Sequence, residues 1–232
     1  MRRRYILGSM FVLWLILLLW ILWSETDGKG MLEDAEKIRE MKVAQYAKQM
    51  IIVAVNEEET ILGFYQKEKS GKWELEWETQ AQIGKNGLGK RREGDGKTPI
   101  GVYRFTHAFG ILENPGTSIN YIQVDANDYW VDDAMSEYYN QFVDVENVQK
   151  DWNHAEHICA YGEAYHYVLA ISYNEGRILG AGSAVFLHCT TEEMEGTEGC
   201  VAIPEIFMKQ LLKNVGAECI LVIDEAKNIL KY

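Results

Sequence analysis

Short apolar runs of alternating polarity begin at Ile51 and recur to the end of the chain, and they restrict the possible folds more than any other feature. Turn-forming residues separate successive runs, as expected for strands and hairpins. The runs are Ile51–Val55, Ile61–Tyr65, Trp73–Trp77, Tyr167–Ile171, Ala184–Leu187 and Cys219–Ile223. One clear helical pattern interrupts them between Pro204 and Gly216. Many strands and few helices predict a mainly β domain, built as a sandwich or a partly closed sheet.

Residues 5–23 form an apolar run of 19 residues without a charge. As a helix rising about 1.5 Å per residue, this run would span the hydrocarbon core of a membrane. Three arginines precede it, which favours a cytoplasmic tip at residues 1–4 and an outward-facing remainder. A cleaved signal peptide is the alternative, but the run is long for one and no small-residue cleavage pattern follows it. We therefore expect an uncleaved, single-pass anchor in the cell membrane.

Between this anchor and the strand-rich domain, residues 24–48 are predicted to form a linker with a stalk helix. Apolar residues near one face support a helix from Met31 to Met50. The domain itself is assigned to residues 49–232, and neither an internal repeat nor a low-complexity block divides it.

The charge of the chain limits its classes of partner. The formal net charge is −12, and three of the cations precede the apolar run, so the domain is strongly acidic. An acidic domain argues against nucleic acid, whose phosphates need a basic face. It also argues against electrostatic docking on anionic lipids or anionic wall polymers.

The strongest chemical signal is a histidine and a cysteine that stand twelve positions apart. His188 ends an apolar run, and Cys200 follows Gly199 at the start of the next. A thiol attacks as the thiolate, so it needs an imidazole within hydrogen-bond reach and N–H donors for the oxyanion. Gly199 allows the N–H groups of residues 199 and 200 to face that oxyanion, and the Thr197 hydroxyl is placed to hold the turn. Buried cysteines and single histidines are more often structural, so the pair needs support from the rest of the chain.

The four cysteines show no zinc-binding spacing. Cys200 must stay reduced if it is a nucleophile, so at most one structural disulfide is expected. The pair that leaves the candidate site untouched is Cys159–Cys219.

Two further segments flank this pair. The glycine-rich stretch from Gly84 to Gly101 does not fit a phosphate-binding loop, because no matching frame opens a helix, and it is interpreted as a connector between strands. Leu112 to His166 is long and rich in aromatic residues, so we expect it to fold over the domain as a lid or a binding wall.

Four segments occur in a specific order: Gly94–Tyr103, Ala155–His157, Gly182–His188 and Thr197–Val201. Together they resemble a YkuD-type L,D-transpeptidase catalytic domain, over about residue 49 to the C-terminus. The resemblance implies a β-rich sandwich with Cys200 as the acylated nucleophile and His188 as its base. It also implies a reaction without metal or cofactor. In that reaction a peptidoglycan stem tetrapeptide loses its terminal D-Ala to form a thioester, and a side-chain amine of another stem completes a 3→3 cross-link.

Two positions depart from the family pattern. Glu198 stands where the family commonly has His, and Ala202 stands where it has Arg or Asn. The chain therefore lacks a second imidazole and a polar side chain that helps to order the site. The candidates for substrate binding are Thr197, Glu198, Glu156, His157 and Lys97.

The loop before Cys200 is crowded with carboxylates, at Glu192, Glu193, Glu195 and Glu198. Nearby carboxylates raise the pKa of a thiol and so oppose the thiolate. They are interpreted either as a solvated loop or, as a hypothesis, as an acidic rim that attracts a cationic acceptor amine.

The sequence thus predicts an outward-facing cysteine acyltransferase that acts on peptidoglycan stem peptides. One alternative is an L,D-carboxypeptidase or other hydrolase, in which water accepts the acyl group at the same site. Another is a peptidoglycan-binding module with a degenerate site, for which Glu198 and Ala202 are the support. A papain-like peptidase is disfavoured, because there the cysteine precedes its histidine and opens a helix.

Overall fold

The computed structural model describes residues 35–232, which form one unit rich in β-strands. The strands are β1 (Gln49–Val55), β2 (Thr60–Lys67), β3 (Trp73–Gln80), β4 (Gly101–Tyr103), β5 (Phe105–Gly110), β6 (Tyr121–Gln123), β7 (Asp128–Val131), β8 (Gln141–Asp144), β9 (Glu156–His157), β10 (Val168–Ile171), β11 (Phe186–Cys189), β12 (Val201–Ile203) and β13 (Ile220–Glu225). The α-helices are α1 (Ala35–Ile38) and α2 (Glu205–Asn214). The 3-10 helices are Val43–Gln45, Ile158–Tyr165 and Ala226–Lys231. The predicted mainly β fold with few helices is confirmed within these residues.

Two five-stranded sheets build the body of the domain. The first has the strand order β3-β2-β1-β13-β4, and β1 pairs in parallel with β13. The second has the order β12-β11-β10-β5-β6, and β11 pairs in parallel with β12. One apolar core takes side chains from both sheets and from α2, including Ile51, Leu62, Leu187 and Leu211. The sheets therefore pack as the layers of a sandwich.

A smaller sheet, β8-β7-β9, lies in the segment predicted to be a lid or a binding wall. It encloses a second apolar cluster against the other face of the second sheet, where Trp130 and Tyr165 pack with Phe186. We call residues 124–166 the cap. Because side chains alternate along a strand, Leu187 and Cys189 of β11 face the sandwich core, whereas Phe186 and His188 face the cap.

The N-terminal part of the described chain differs from the predicted helix over Met31–Met50. The structure has the short helix α1, then the 3-10 helix Val43–Gln45, and β1 starts at Gln49. The apolar residues Ile38, Met41 and Ala47 are buried. The apolar pattern reflects packing of an irregular segment on the domain, so the helix prediction was wrong beyond Ile38.

The predicted anchor at residues 5–23 lies outside the described residues. Within residues 35–232, no helix is long and apolar enough to cross a membrane.

The predicted disulfide Cys159–Cys219 is absent, and all four cysteines are free thiols. Cys219 is buried in the core between the sheets, next to the start of β13. Cys159 lies in the cap, where its sulfur is 3.1 Å from His157 Nε2.

Candidate active site

A cavity of about 450 Å³ lies between the cap and the second sheet. Of the residues predicted from the sequence, it brings together Cys200, His188, Gly199, Thr197, Glu198 and Glu156. The other two candidates, Lys97 and His157, do not line it. Other residues that were not among the predicted site residues also line the cavity, including Lys90, Glu93, Asp132, Tyr161, Tyr165 and Ser183.

Cys200 lies directly before β12 with its side chain 7% exposed. Its sulfur accepts a hydrogen bond from the Phe186 N–H at 3.3 Å and donates to the Ala184 carbonyl at 3.2 Å. Burial, followed by the nearby charge of Glu156, raises the pKa of the thiol to about 12, although the Phe186 N–H and Lys90 oppose the shift. The resting sulfur is therefore a thiol.

His188 occupies the third position of β11 and is 4% exposed. Its Nδ1 lies 2.9 Å from the carbonyl oxygen of Cys189, so Nδ1 carries the proton of the neutral ring. Burial lowers the pKa of His188 to about 4, against the opposing effect of the Cys189 and Ala164 carbonyls. The imidazole is therefore neutral at physiological pH, and its Nε2 carries the lone pair that can accept a proton when substrate binds.

Within residues 35–232, no hydrogen bond joins His188 to the Cys200 sulfur, whose partners are Phe186 and Ala184. The site thus rests as a neutral thiol beside a neutral imidazole, and a direct proton transfer between them requires the thiol to give up its hydrogen bond to the Ala184 carbonyl.

The turn before Cys200 is held by hydroxyl groups. Thr197 Oγ1 accepts from the Gly199 N–H at 3.1 Å and donates to the Cys200 carbonyl at 2.8 Å. Gly199 has a φ of 143°, which favours glycine. The Gly199 N–H, predicted as an oxyanion donor, is therefore occupied by Thr197. The Cys200 N–H has no hydrogen-bond partner within the described residues, so it is the donor available to an oxyanion.

The glycine-rich segment folds back on itself over residues 84–100 without forming strands and braces this turn from the other side. We call this hairpin-shaped loop the hairpin. The Thr98 hydroxyl donates to the Cys200 carbonyl at 3.0 Å. A Cβ on Gly84 would lie 2.4 Å from the carbonyl oxygen of Gly96, so the two arms of the hairpin approach as only glycine allows. The segment therefore positions the nucleophile, a role that the connector interpretation did not include.

Asp95 organises the tip of the hairpin. Its carboxylate accepts from the N–H groups of Arg91, Arg92 and Lys97, and from Lys90 Nζ at 3.2 Å. These bonds outweigh the effect of burial and lower the pKa of Asp95 to about 2. An Asp between two glycines is typical of a turn and can be recognised in the sequence. The ion pair that holds the buried Lys90 side chain on Asp95, beside Gly199, forms only in the folded domain.

The two candidates outside the cavity have structural contacts. His157 stacks on Tyr129 at 4.5 Å between ring centroids, and its Nε2 lies 2.9 Å from the carbonyl of Ala126. The N–H of Lys97 donates to Asp95, and its carbonyl packs against Gly199. Both residues support neighbouring parts of the site without facing the cavity.

The two positions that depart from the family pattern also have defined surroundings. Glu198 is exposed at the mouth of the cavity and forms an ion pair with Lys85. Ala202 is buried, pairs in register with His188, and exchanges backbone hydrogen bonds with Gln82. A long polar side chain at position 202 would have to leave this packed position.

The cap contributes a carboxylate to the cavity wall. Glu156 Oε2 accepts a hydrogen bond from the Tyr165 hydroxyl at 2.7 Å, and the Tyr165 ring packs edge-on against His188 at 5.5 Å. Burial, and then the charges of Asp132 and Glu93, raise the pKa of Glu156 to about 7. Within residues 35–232, no group of three or more His, Cys, Asp or Glu is arranged to hold a metal ion.

Comparisons with known proteins identify a family for most of the chain. The family model YkuD, described as the L,D-transpeptidase catalytic domain, matches residues 49–223. No curated protein sequence gives a significant match.

Among solved structures, the helical cell shape determining protein Pgp2 of Campylobacter jejuni is 15% identical, with a TM-score of 0.42 over 82% of this chain and 55% of that chain. A mutant of the Enterococcus faecium L,D-transpeptidase is 15% identical, with a TM-score of 0.36 over 77% of this chain and 49% of that chain. The chain thus spans about half the length of these structures.

Proposed function

The chain belongs to the YkuD family of L,D-transpeptidase catalytic domains, and we propose that it is a cysteine acyltransferase that acts on peptidoglycan stem peptides. The observation that carries the proposal is the shared cavity of Cys200 and His188, in which the Cys200 N–H has no hydrogen-bond partner among residues 35–232. These are the nucleophile, the base and an oxyanion donor that acyl transfer needs. The match to a family of L,D-transpeptidase catalytic domains supports peptidoglycan stem peptides as the substrate class.

Acylation begins when the carbonyl of the third stem residue replaces the present contacts of the sulfur. His188 Nε2 takes the thiol proton as the sulfur attacks this carbonyl carbon, and the Cys200 N–H donates to the developing oxyanion. The C–N bond to the terminal D-Ala then breaks, and its nitrogen receives the proton from His188. The products are free D-Ala and a Cys200 thioester.

Transfer to the acceptor reverses these roles. A neutral side-chain amine of a second stem attacks the thioester carbonyl, and His188 removes a proton from the attacking nitrogen. The C–S bond breaks, and the sulfur regains a proton from His188. The product is a 3→3 amide cross-link, and the enzyme returns to its resting thiol.

The low pKa of His188 and the high pKa of Cys200 oppose transfer of the thiol proton in the resting site. Because both groups are neutral before substrate binds, proton transfer is coupled to attack on the carbonyl, and the buried thiol is protected from other electrophiles.

We further propose that residues 5–23 anchor the chain in the cell membrane and that the catalytic domain faces the cell wall. The uncharged length of this run and the preceding arginines support this location.

The test is to incubate the full chain with disaccharide-tetrapeptide and to identify the products by mass spectrometry. A cross-linked dimer that lacks one D-Ala supports transfer, and a tripeptide alone supports the hydrolase alternative. If neither product appears, the binding-module alternative takes precedence. Cys200→Ala is the control, and it should form no product.

A further inference from the structure

Three carboxylates from separate parts of the chain line one side of the cavity. They are Glu93 of the hairpin, Asp132 after β7 and Glu156 of β9, and we call them the acidic wall. Glu93 and Asp132 both raise the pKa of Glu156, and Glu93 raises that of Asp132, so the three groups are within electrostatic range of one another. Like charges brought together in a partly buried site destabilise each other unless a carboxylate is protonated or a cation joins them.

No salt bridge joins the acidic wall to any cation of residues 35–232. Lys90 lines the same cavity, but its Nζ is paired with Asp95. His154 is within electrostatic range of Asp132 without forming an ion pair with it. The negative charge of the wall is therefore not balanced by the described part of the protein.

Tyrosine hydroxyls donate hydrogen bonds to two of the three wall carboxylates, and one oxygen of the third has no donor among the described residues. Tyr165 donates to Glu156, and the Tyr139 hydroxyl donates to Glu93 at 2.5 Å. Asp132 Oδ1 is buried and has no hydrogen-bond partner among the described residues. Buried polar atoms are rarely left without a partner, so Asp132 Oδ1 lacks a donor that the described residues do not supply.

The hydroxyl of Ser183 also lacks a hydrogen-bond partner among the described residues, independently of the carboxylates. Ser183 lines the cavity and is 6% exposed, and its Oγ has no hydrogen bond of acceptable geometry to any residue in 35–232. The Tyr139 hydroxyl lies near it but already donates to Glu93 and accepts from the Gly182 N–H. The Ser183 oxygen can accept a hydrogen bond from a ligand bound beside the wall.

We propose that the acidic wall binds the ammonium group of the acyl acceptor, a primary side-chain amine of a second stem peptide. The inference rests on the proposed function and identifies the residues that select the acceptor. A primary ammonium carries three N–H donors and one positive charge, which match a wall of carboxylates and an unpartnered hydroxyl. The wall lines the same cavity as Cys200, so it holds the acceptor in the chamber where the thioester forms. The bound ammonium must release one proton to solvent before its neutral nitrogen attacks the thioester.

The glutamates of the loop before Cys200 do not form this subsite. Glu192, Glu193 and Glu195 are exposed and do not line the cavity. The solvated-loop interpretation fits their positions, and water screens their charges. These three residues provide a control that removes the same amount of negative charge as neutralisation of the wall.

The test measures binding, so it requires no turnover. The full chain carrying Cys200→Ala is titrated by calorimetry at pH 8 with the tripeptide L-Ala-γ-D-Glu-L-Lys and with the same peptide acetylated on the lysine amine. We expect the free amine to bind at least about tenfold more tightly. Combined Glu93→Gln, Asp132→Asn and Glu156→Gln should abolish this preference, whereas combined Glu192→Gln, Glu193→Gln and Glu195→Gln should preserve it.

Equal binding of the two peptides, binding of neither, or a preference that survives in the wall variant would overturn the inference. If the triple variant does not fold, Glu156→Gln alone should reduce the preference at least about threefold, because the amide oxygen still accepts from Tyr165 while the charge is lost. Failure of this test leaves the product assay of the proposed function intact. Conversely, a preference for the amine can be measured whether or not cross-links form.

Discussion

The hydroxyl of Thr98 donates a 3.0 Å hydrogen bond to the carbonyl oxygen of Cys200, which joins two residues 102 positions apart in the chain. The same hydroxyl accepts from the Gly84 N–H at 2.8 Å. The glycine-rich hairpin is thus connected by one buried side chain to the peptide group of the nucleophile. The position of Cys200 therefore depends on the folding of a segment that carries no catalytic group.

Replacement of Thr98 by Val keeps the shape of the side chain but removes two hydrogen bonds, one from the Gly84 N–H and one to the Cys200 carbonyl. We expect a loss of about 1–3 kcal/mol in the free energy of unfolding and slower acylation of Cys200. Denaturant titration and the rate of thioester formation measure the two effects. Thr98→Ser, which retains the hydroxyl, should recover most of both, and indistinguishable Val and Ser variants would argue against the brace.

Gly199 is predicted to tolerate no side chain. An added Cβ would lie 2.8 Å from the carbonyl oxygen of Lys97 and 3.1 Å from Lys90 Nζ, at a φ of 143°. Gly199→Ala should therefore displace the turn and lower the acylation rate at least about 100-fold. Gly87→Ala is the matched control, because Gly87 also has a positive φ but open space around its Cα. It should cost about 1 kcal/mol of stability and leave acylation unchanged. Equal acylation rates in the two variants would contradict this account.

Glu156 makes the stability of the protein depend on pH near neutrality. Its pKa is about 7 in the folded protein and about 4.5 in a free chain, so the folded state holds an extra proton between these values. Stability should consequently fall as the pH rises from about 4.5 to about 7, and the penalty remains at higher pH.

Glu156→Gln removes this penalty and keeps an acceptor for Tyr165. The variant should match the wild type near pH 4 and be more stable at pH 8, by about 3 kcal/mol at most. Urea unfolding at both pH values provides the comparison. A variant that is less stable at pH 8 would show that the charged carboxylate is stabilised by the fold.

The resting thiol of Cys200 should react slowly with small electrophiles. Because its pKa is about 12, the rate of alkylation by iodoacetamide should rise with pH up to at least pH 10 without a plateau. The measurement follows the Cys200 peptide by mass spectrometry in a Cys159→Ser background, since Cys159 is the cysteine with partial exposure. A plateau reached below pH 8 would instead indicate a thiolate paired with an imidazolium.

The sequence predicted the parts of the site that depend on one strand or one turn. The apolar run that ends at His188 predicted a strand carrying this residue, and Gly199 indicated a turn that Thr197 holds. The sequence did not reveal the acidic wall, because Glu93, Asp132 and Glu156 meet only when the cap covers the second sheet. For the same reason the sequence did not show that Lys90, and not the candidate Lys97, lines the cavity beside Gly199.

Two errors have a common physical cause. The helix predicted up to Met50 and the disulfide Cys159–Cys219 were both inferred without knowledge of the neighbouring layers. The spacing of Ile38, Met41 and Ala47 reflects burial in a segment with only short helical turns. Cys219 belongs to the sandwich core and Cys159 to the cap, so separate layers hold the two thiols.

The central claim is that Cys200 is acylated by a stem peptide with His188 as the base, and the mass of the acyl-enzyme tests it most directly. The full chain is mixed with disaccharide-tetrapeptide, quenched in acid and examined by intact-mass and peptide-level spectrometry. We predict a gain equal to the donor minus D-Ala, located on the Cys200 peptide, absent in Cys200→Ala and formed at least about 100-fold more slowly in His188→Gln. An adduct on another residue, an adduct that persists in Cys200→Ala, or no adduct at all would contradict the account.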